Sequence, residues 1–599
     1  MKKSIGGWLF VVCGSWACQA SSDAAMEQVF ITATRTEIPS EAVLGSIEII
    51  TGEELARLPG GDLADALRLR AGIDIARLGG PGQQTSVFIR GSDSNHVLLL
   101  VDGVRINPGT IGIAAVQNIT PAMVERVEIV KGPRSTLYGS DAIGGVINVI
   151  TRRGENAGRS VEIGAGAWGT QLAGLSLGWS GDRTDAALMA SWLDSEGFPT
   201  LVGDEVDRGY RHLSFTGSVH RDLGDWQLSA RGWRAAGTSE YSDFFVTPVD
   251  QDFVNSAFAL EAAGPLGDHA ASRVTLGHAT DLIRQNQSSD LLETRRWQLE
   301  WQTDLRLGGY GQLTAGLLLQ DEDADSESYG LTFVEGTESR LAYLQHQLGF
   351  GRHRWLAAAG YTDHETFGGQ FTWNAEYGYS PRADLSMWAA AGTAYRAPDA
   401  TDRFGFGGNP ALLPESARSV EVGLRYRASD RHRLSLVAFH KEVDDLIQYV
   451  ITDFATFEGE NRNVERARIT GVEASWDYDA EPWTARMTAS LQDPRDLTNN
   501  QALLRRSRES LTASLTRSFG AHQVSLDLLA AGQRQDFGFP APVRLDAYLL
   551  VGLAGRFSLN EDWSLTARVE NLFDESYELA RGYNTMGRSL FVALRRDFH

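Results

Sequence analysis

Cysteine is nearly absent from this chain: of 599 residues only Cys13 and Cys18 carry a thiol. Both fall in a leader of recognisable grammar. Met1-Lys2-Lys3 supplies a basic start, Ile5 to Cys18 a short apolar run, and Ala17-Cys18-Gln19-Ala20 a small-residue end. Residues 1–20 therefore read as a secretory signal peptide, cut after Ala20. The run is too short to cross a bilayer as a helix, which argues against an anchor, and Trp16 spoils a lipobox reading at Cys18. Without the leader there is no cysteine, hence no disulfide framework, thiolate metal site or cysteine nucleophile. An exported chain of this size needs another source of stability, such as closure of a large sheet.

Positive charge is also in short supply. Lys and Arg number 55 against 77 Asp and Glu, a net charge of -22. Such a chain repels phosphate backbones, so nucleic acid is not an expected partner. No second long apolar run reads as a membrane helix. The mean hydropathy of -0.23 is compatible with a membrane barrel, in which only alternate residues face lipid. A Walker loop and HExxH are both missing, so no enzyme is expected. His96 and His440 stand isolated in the sequence and read as structural or solvent-facing.

Two grammars follow the leader. Residues 46–153 read as a compact α+β domain of ordinary size. Ile47, Ile49 and Ile50 make a short strand, and Thr51 and Glu54 have capping-box spacing. Asp62 caps a second helix, with Leu63, Ala66 and Leu67 on one face and Gly72 at its end. Short apolar strands recur at Val87–Ile89, Val97–Val101, Val127–Val130 and Val146–Ile150. Over 154–599 the period changes to two. Val420, Val422 and Leu424 alternate with Ser419, Glu421 and Gly423; Val472, Ala474 and Trp476 alternate with Glu473 and Ser475. Trp and Tyr sit at the ends of the apolar faces, as an interfacial girdle requires. About 450 residues, at about 20 per strand and connection, predict an all-β transmembrane barrel of about 22 antiparallel strands. A barrel that wide has an open bore unless something fills it, and the leading α+β domain is the natural plug. The last strand ends Leu594, Arg596, Phe598, with the aromatic one short of the terminal His599.

Several segments resemble one family, the TonB-dependent outer-membrane receptors, and within it most the vitamin B12 receptors. The matching plug runs are Val87–Gly91, Val101–Asn107, Val124–Gly132 and Pro133–Thr151; the barrel runs are Thr393–Pro398, Gly408–Pro410 and Glu570–Asp574 with Tyr577, Tyr583 and Arg588. The resemblance spans essentially the whole mature chain. It implies a multi-pass barrel in the outer membrane of a Gram-negative bacterium, acting as a monomer among outer-membrane lipid. It also implies active import of cobalamin, driven by the periplasmic energy-coupling protein TonB.

The resemblance further assigns residues. Within a flexible tail, 21–45, Gln28-Val29-Phe30-Ile31-Thr32-Ala33 is similar to the TonB box, an extended run able to add a strand to a partner's sheet; the alternative is a first strand of the plug itself. Gln84, Ser86, Asp93, Thr110 and Ile111 match plug-apex ligand contacts, an amide, hydroxyl, carboxylate and apolar mixture suited to a ring with amide arms. Asp204, Glu205 and Asp207 in one acidic loop, with Tyr241, Asp243, Asp250 and Asp252 in another, are the expected ligands of calcium. Here Pro199 stands near a position where the family has an aspartate. A ferric-siderophore receptor shares the plug, barrel and coupling segment, but its anionic cargo favours basic loops. A passive porin would lack the packed plug and the tail.

Overall fold

The computed structural model describes Phe30, Ile31, Arg35, Ile38, Pro39 and residues 43–599, apart from Pro59, Phe244, 454–457 and Pro540. The leader, most of the tail, and Gln28, Val29, Thr32 and Ala33 of the coupling segment lie outside the described residues.

The plug is built on a five-stranded sheet. Its strands are β1 (Ile47–Thr51), β4 (Val97–Val101), β5 (Val104–Arg105), β6 (Val124–Lys131) and β7 (Gly145–Thr151), in spatial order β1-β6-β7-β4-β5. All neighbours are antiparallel except β4 and β7. A separate hairpin joins β2 (Ile73–Arg77) to β3 (Thr85–Ile89). Two short helices fill the gap between β1 and β2. In α1 (Gly52–Leu55) the Thr51 hydroxyl accepts the Glu54 N–H at 3.3 Å, and the Glu54 carboxylate accepts the Thr51 N–H at 2.8 Å, the reciprocal cap its spacing predicts. Asp62 caps α2 (Leu63–Leu67), but the helix stops at Leu67, short of the predicted Gly72. Gly72 instead takes φ +62° in the turn that launches β2. A third helix, α3 (Ser135–Tyr138), follows β6. Ile50, Leu63, Leu67, Ile89, Val127, Ile129 and Ile147 form the plug's dry centre.

From Arg159 onward every long strand is antiparallel to its neighbours. The first, Arg159–Gly166, pairs with the last, Ser589–Asp597, and closes the ring. Twenty-two strands make the wall; the two-residue strand Gln501–Ala502 only lengthens the edge of Trp483–Asp496. Closure pairs the backbone all the way round, as hydrocarbon demands. The alternation lands as the sequence predicts. Val420 and Val422 are 52% and 57% exposed on the outside, while Glu421 between them is 8% exposed and faces the bore. Trp226, Phe350, Trp483 and Phe519 stand exposed beside the short turns, an interfacial aromatic band. The two ends of the barrel differ. Turns such as 182–183 and 224–225 are minimal, whereas 397–414 and 571–588 are long. Short turns mark the periplasmic end and long loops the outside; Arg159 and Asp597 lie at the short-turn end. The strands His432–Asp453 and Glu458–Ala480, of 22 and 23 residues, exceed the roughly 10 residues that cross a bilayer and stand well above it.

Plug residues reach the wall on every side. Gln83 donates to the Glu240 carbonyl at 2.7 Å, Asn118 to Asn255 at 2.7 Å, Arg134 to Glu376 at 2.6 Å and Arg68 to Glu570 at 2.6 Å. Partners spread round the whole ring place the α+β domain in the bore. The main clasp is ionic. Arg90, 3% exposed, bonds Glu421 at 2.7 Å and Glu473 at 3.0 Å, and Lys131 reaches Glu473 at 3.3 Å. Not every plug charge crosses the seam: Asp102 pairs with Arg153, and Arg126 with Glu125 and Glu128.

Two expectations follow. Val422→Arg, at a lipid-facing mid-strand position, should cost about 2–4 kcal/mol of barrel stability, whereas Asp207→Arg in an exposed loop should stay within about 0.5 kcal/mol; reversible urea unfolding followed by tryptophan fluorescence reads both. Arg90→Ala leaves Glu421 and Glu473 buried without their cation, a loss of about 3–5 kcal/mol. Its proteoliposomes should swell faster in small sugars than wild type, and equal swelling would remove Arg90 from the plug's anchorage.

Candidate functional site

The plug presents three turns to the long-loop end of the bore: the hairpin tip 78–84, the turn 91–96 before β4, and the turn 108–112 after β5. Their neighbours fix this sidedness. Cβ atoms built on Gly79 and Gly82 would strike Thr200 and Tyr210, on either side of the outer loop 201–207, and Asp93 is bonded to Arg506 in the outer connection 497–508 at 2.9 Å. All five residues assigned to ligand contact lie on this outward face. Gln84 is exposed and Ser86 half-buried. Burial pushes the Asp93 carboxyl up, but Arg506 and then His96 outweigh it and hold it below the usual range. Asp93 is thus a carboxylate engaged with Arg506. Ile111 is half-buried. Thr110 is 1% exposed, its N–H given to the Thr294 hydroxyl at 3.2 Å.

The Thr110 hydroxyl also faces the Thr294 hydroxyl of the wall at 3.3 Å, and over the backbone of this turn lies α4 (Ala400–Phe404), a single turn in the outer connection 397–414. Its first N–H groups dock on the plug: Ala400 donates to the Gly109 carbonyl at 2.9 Å and Thr401 to the Thr110 carbonyl at 3.0 Å. Asp399 caps the turn by accepting the Asp402 N–H at 2.8 Å. Burial and the adjoining Asp402 push the Asp399 carboxyl well above its usual range. Beneath α4 is a charged chamber in which Arg105 pairs with Asp141 and Arg296 with Glu322, beside His364.

His96 is not isolated, contrary to its appearance in the sequence. It is 1% exposed. Its Nδ1 accepts the Asp93 N–H at 3.3 Å, so Nε2 carries the proton and donates to Glu415 at 3.0 Å. Glu415 also takes Arg396 at 2.6 Å, and Arg396 holds Asp402 at 2.6 Å. One chain of hydrogen bonds and ion pairs therefore runs from the plug turn 91–96 to the base of α4. Sequence reasoning missed it, although Arg396 lies inside the matching run Thr393–Pro398. His440 does face outward, 42% exposed, against Thr470.

The acidic residues assigned to calcium are not gathered. Asp204 is taken by Arg208 at 2.9 Å and by Ser242. Tyr241 donates to Gln285, Asp243 caps the N–H groups of Phe245 and Thr247, Asp250 faces Asn286 and Gln287, and Asp252 accepts Thr238. Glu205 and Asp207 are exposed. Among the described residues no three acidic or histidine side chains form a metal-sized cluster.

At the other end of the plug, Phe30–Ile31 pairs antiparallel with Ile38–Pro39. Arg35, in the turn between them, forms an ion pair with Glu300 on the wall. Its guanidinium lies 4.0 Å over the Tyr138 ring and gives a hydrogen bond to the Leu137 carbonyl at 3.3 Å.

Comparison with known proteins agrees with this architecture. The family model described as TonB dependent receptor-like, beta-barrel matches residues 152–572, and the TonB-dependent Receptor Plug Domain matches residues 39–146. The chain is similar to the vitamin B12 transporter BtuB of Photobacterium profundum, with 29% identity over 97% of both chains. Among solved structures, a mutant ferric enterobactin receptor from Pseudomonas aeruginosa in complex with enterobactin superposes with a TM-score of 0.80 at 16% identity, covering 93% of this chain and 100% of that one. The siderophore receptor PirA from Acinetobacter baumannii gives 0.78 at 17% identity, over 95% and 100%. At those identities the solved structures speak for the fold alone. A closed barrel of twenty-two strands, a plug lodged in its bore and both family models in register along the sequence make this chain a member of the TonB-dependent receptors, which reside in the outer membrane of Gram-negative bacteria.

Proposed function

We propose that this receptor imports cobalamin, or a closely related corrinoid, with energy supplied by TonB through the segment Gln28–Ala33. The observation that carries the reading is the end-to-end similarity to a vitamin B12 transporter, which spans plug and barrel alike. The outward face of the plug is consistent with it. Gln84, Ser86 and Ile111 offer amide, hydroxyl and apolar surface around one mouth, the mixture an apolar ring with amide arms requires. A ferric-siderophore receptor is the second reading, since such receptors share this fold. Exposed acidic loop residues such as Glu205 and Asp207 repel an anionic catecholate and favour the corrinoid. For calcium to bind at these loops, Asp204 would first have to leave Arg208 and Ser242.

The coupling half of the reading rests on backbone chemistry. An extended run with a β-branched centre adds to a partner's sheet edge mainly through main-chain hydrogen bonds, so the segment must be free to leave its own pairing. Arg35 and Glu300 restrain that release.

Titration of purified, detergent-solubilised receptor with cobalamin should show saturable binding, and ferric catecholates should not compete. Saturable binding of a ferric catecholate without any of cobalamin would overturn the assignment. Deleting Val29–Ala33 should reduce uptake in cells to background while leaving that binding intact; undiminished uptake would refute the coupling role. Glu300→Gln should loosen the tail, with cleavage near Arg35 by limiting trypsin about tenfold faster, the effect of losing about 1.4 kcal/mol from a charge-assisted contact. An unaltered cleavage rate would show that Glu300 does not restrain it.

A further inference from the structure

Above the apolar belt, the outer surface of the wall does not carry charge evenly. On the strands Glu415–Ser429, His432–Asp453, Glu458–Ala480 and Trp483–Asp496 the outward residues fall into rows. Val422, Ala438, Val472 and Leu491 make one row, Val420, His440, Thr470 and Asp493 the next, and Arg418, Glu442, Arg468 and Arg495 the one above. Each row stands two residues, about 7 Å along the strands, nearer the long-loop end. The alternating neighbours Ala417, Ala467 and Ile469 are buried with Ile143 of the plug, so Arg418 and Arg468 point away from the bore. The lowest row belongs to the belt, with Leu491 56% exposed. Arginine therefore begins where hydrocarbon gives way to lipid heads.

These cations are poorly neutralised by the protein. Glu442 is turned to His440 at 3.6 Å, and among the described residues neither Arg418 nor Arg468 has a carboxylate within ion-pair reach. Asp493 is shared between Arg495 at 2.7 Å and Arg508 at 3.2 Å. One carboxylate between two guanidinium groups, each with five N–H donors, leaves donors open to another acceptor. His440, Arg468, Leu491 and Arg508 border a single open groove on this face, cationic above and apolar below. Another arc of the wall has the reverse character. On the strand Gln312–Ser328, Asp321, Asp323 and Asp325 alternate with the buried Ala324 and Ser326, and Asp321 lies across from Glu338. One arc repels anions and the other gathers them.

We propose that Arg418, Arg468, Arg495 and Arg508 form a binding site for the phosphomonoester head of an outer-leaflet lipid, whose acyl chains lie against Val420, Val472 and Leu491. Guanidinium is the side chain suited to this task, because its planar fork meets two phosphate oxygens at once. An exposed ion pair in water is worth little, but at the edge of hydrocarbon the pair is partly desolvated and the acyl chains add apolar burial. Basic clusters at the ends of membrane-spanning segments recognise anionic lipid heads on the same grounds. Glu442, Asp493 and Glu509 offset part of the charge, which favours an amphipathic ligand over a bare anion. The site lies on the outside of the wall, apart from the ligand mouth, and does not depend on what the receptor imports.

The test uses the full-length receptor in detergent, with diphosphoryl lipid A as the probe and native mass spectrometry as the readout. The receptor should retain the diphosphoryl lipid and hold the monophosphoryl form about tenfold less well. Arg418→Gln and Arg468→Gln should each weaken retention about tenfold, the effect of losing one charge-assisted contact to phosphate. Both side chains are unpaired on the surface, so the barrel folds without them. Arg340→Gln is the control: Arg340 is also exposed, but it lies on the acidic arc, 2.8 Å from Glu338, and its loss should leave retention unchanged. Excess inorganic phosphate should not displace the lipid, because it brings no acyl chains. Displacement would make this a site for a free anion and overturn the lipid assignment. Undiminished retention by Arg418→Gln and Arg468→Gln, an equal loss with Arg340→Gln, or no preference for the diphosphoryl form would each overturn the site.

Discussion

Hydrocarbon offers no partner to a backbone N–H or C=O, and the rest of this molecule follows from that constraint. A stretch of chain that crosses a bilayer in short strands must close on itself, because an open edge would leave a row of unpaired groups in lipid. Here Arg159–Gly166 meets Ser589–Asp597 to remove that edge. Closure with twenty-two strands creates a bore too wide for its own side chains to fill. The plug is therefore a consequence of barrel size, and its position between two networks of opposite character follows as well. Outside the wall, positions such as Val420, Val422 and Leu436 are apolar and exposed; inside, the wall strands present Glu421, Glu473, Glu376 and Glu570 to the plug.

A polar seam is a particular choice of glue. Buried ion pairs add little net stability over apolar packing, because desolvation offsets most of the attraction, but removing one partner is costly. The plug of this receptor has a dry centre of its own around Ile50, Leu67, Val127 and Ile147, while much of its boundary is held by Arg90, Lys131, Arg134 and Arg68. Each boundary contact has a specific geometry and each can be exchanged for water. A domain fastened in this way is held in one place yet remains separable from its housing.

The sequence carried the fold at the level where one residue faces one environment. The Val420-Glu421-Val422 alternation states which side is lipid and which is bore, and the Thr51–Glu54 spacing states where a helix begins. It carried less where the environment is assembled from distant parts. His96 looked isolated because its partner Glu415 is 319 residues away, and no local pattern joins them. Gly72 read as a helix end because glycine serves both helix termini and tight turns, and only the structure shows that it turns the chain into β2. The acidic loops illustrate the same limit. Composition places Asp204 and Asp250 near other carboxylates, but Arg208, Ser242 and Asn286, contributed by other positions, decide what those oxygens bind. The outward apex residues were named through family resemblance, and no spacing rule could have drawn 84, 93 and 110 to one mouth.

The two ends of the plug meet at α3. On one side, Tyr138 lies under the Arg35 guanidinium, and the Leu137 carbonyl accepts from it. On the other, the Asp141 N–H donates to the Tyr395 carbonyl at 3.2 Å, Ser135 bonds the same carbonyl, and Ser140 receives the Ala397 N–H. Only a few residues therefore separate the tail's restraint from the root of α4. Contiguity of this kind is not coupling by itself. It becomes coupling when one element with two arrangements is biased from both sides, and linkage then requires the bias to be reciprocal. If the receptor imports its ligand as proposed, that reciprocity has a direction. Whatever favours release of Arg35 when the outer mouth is occupied must also hold the mouth's occupied form more tightly once Arg35 is released. The turn Ser135–Tyr138 is buried throughout and is touched from both ends.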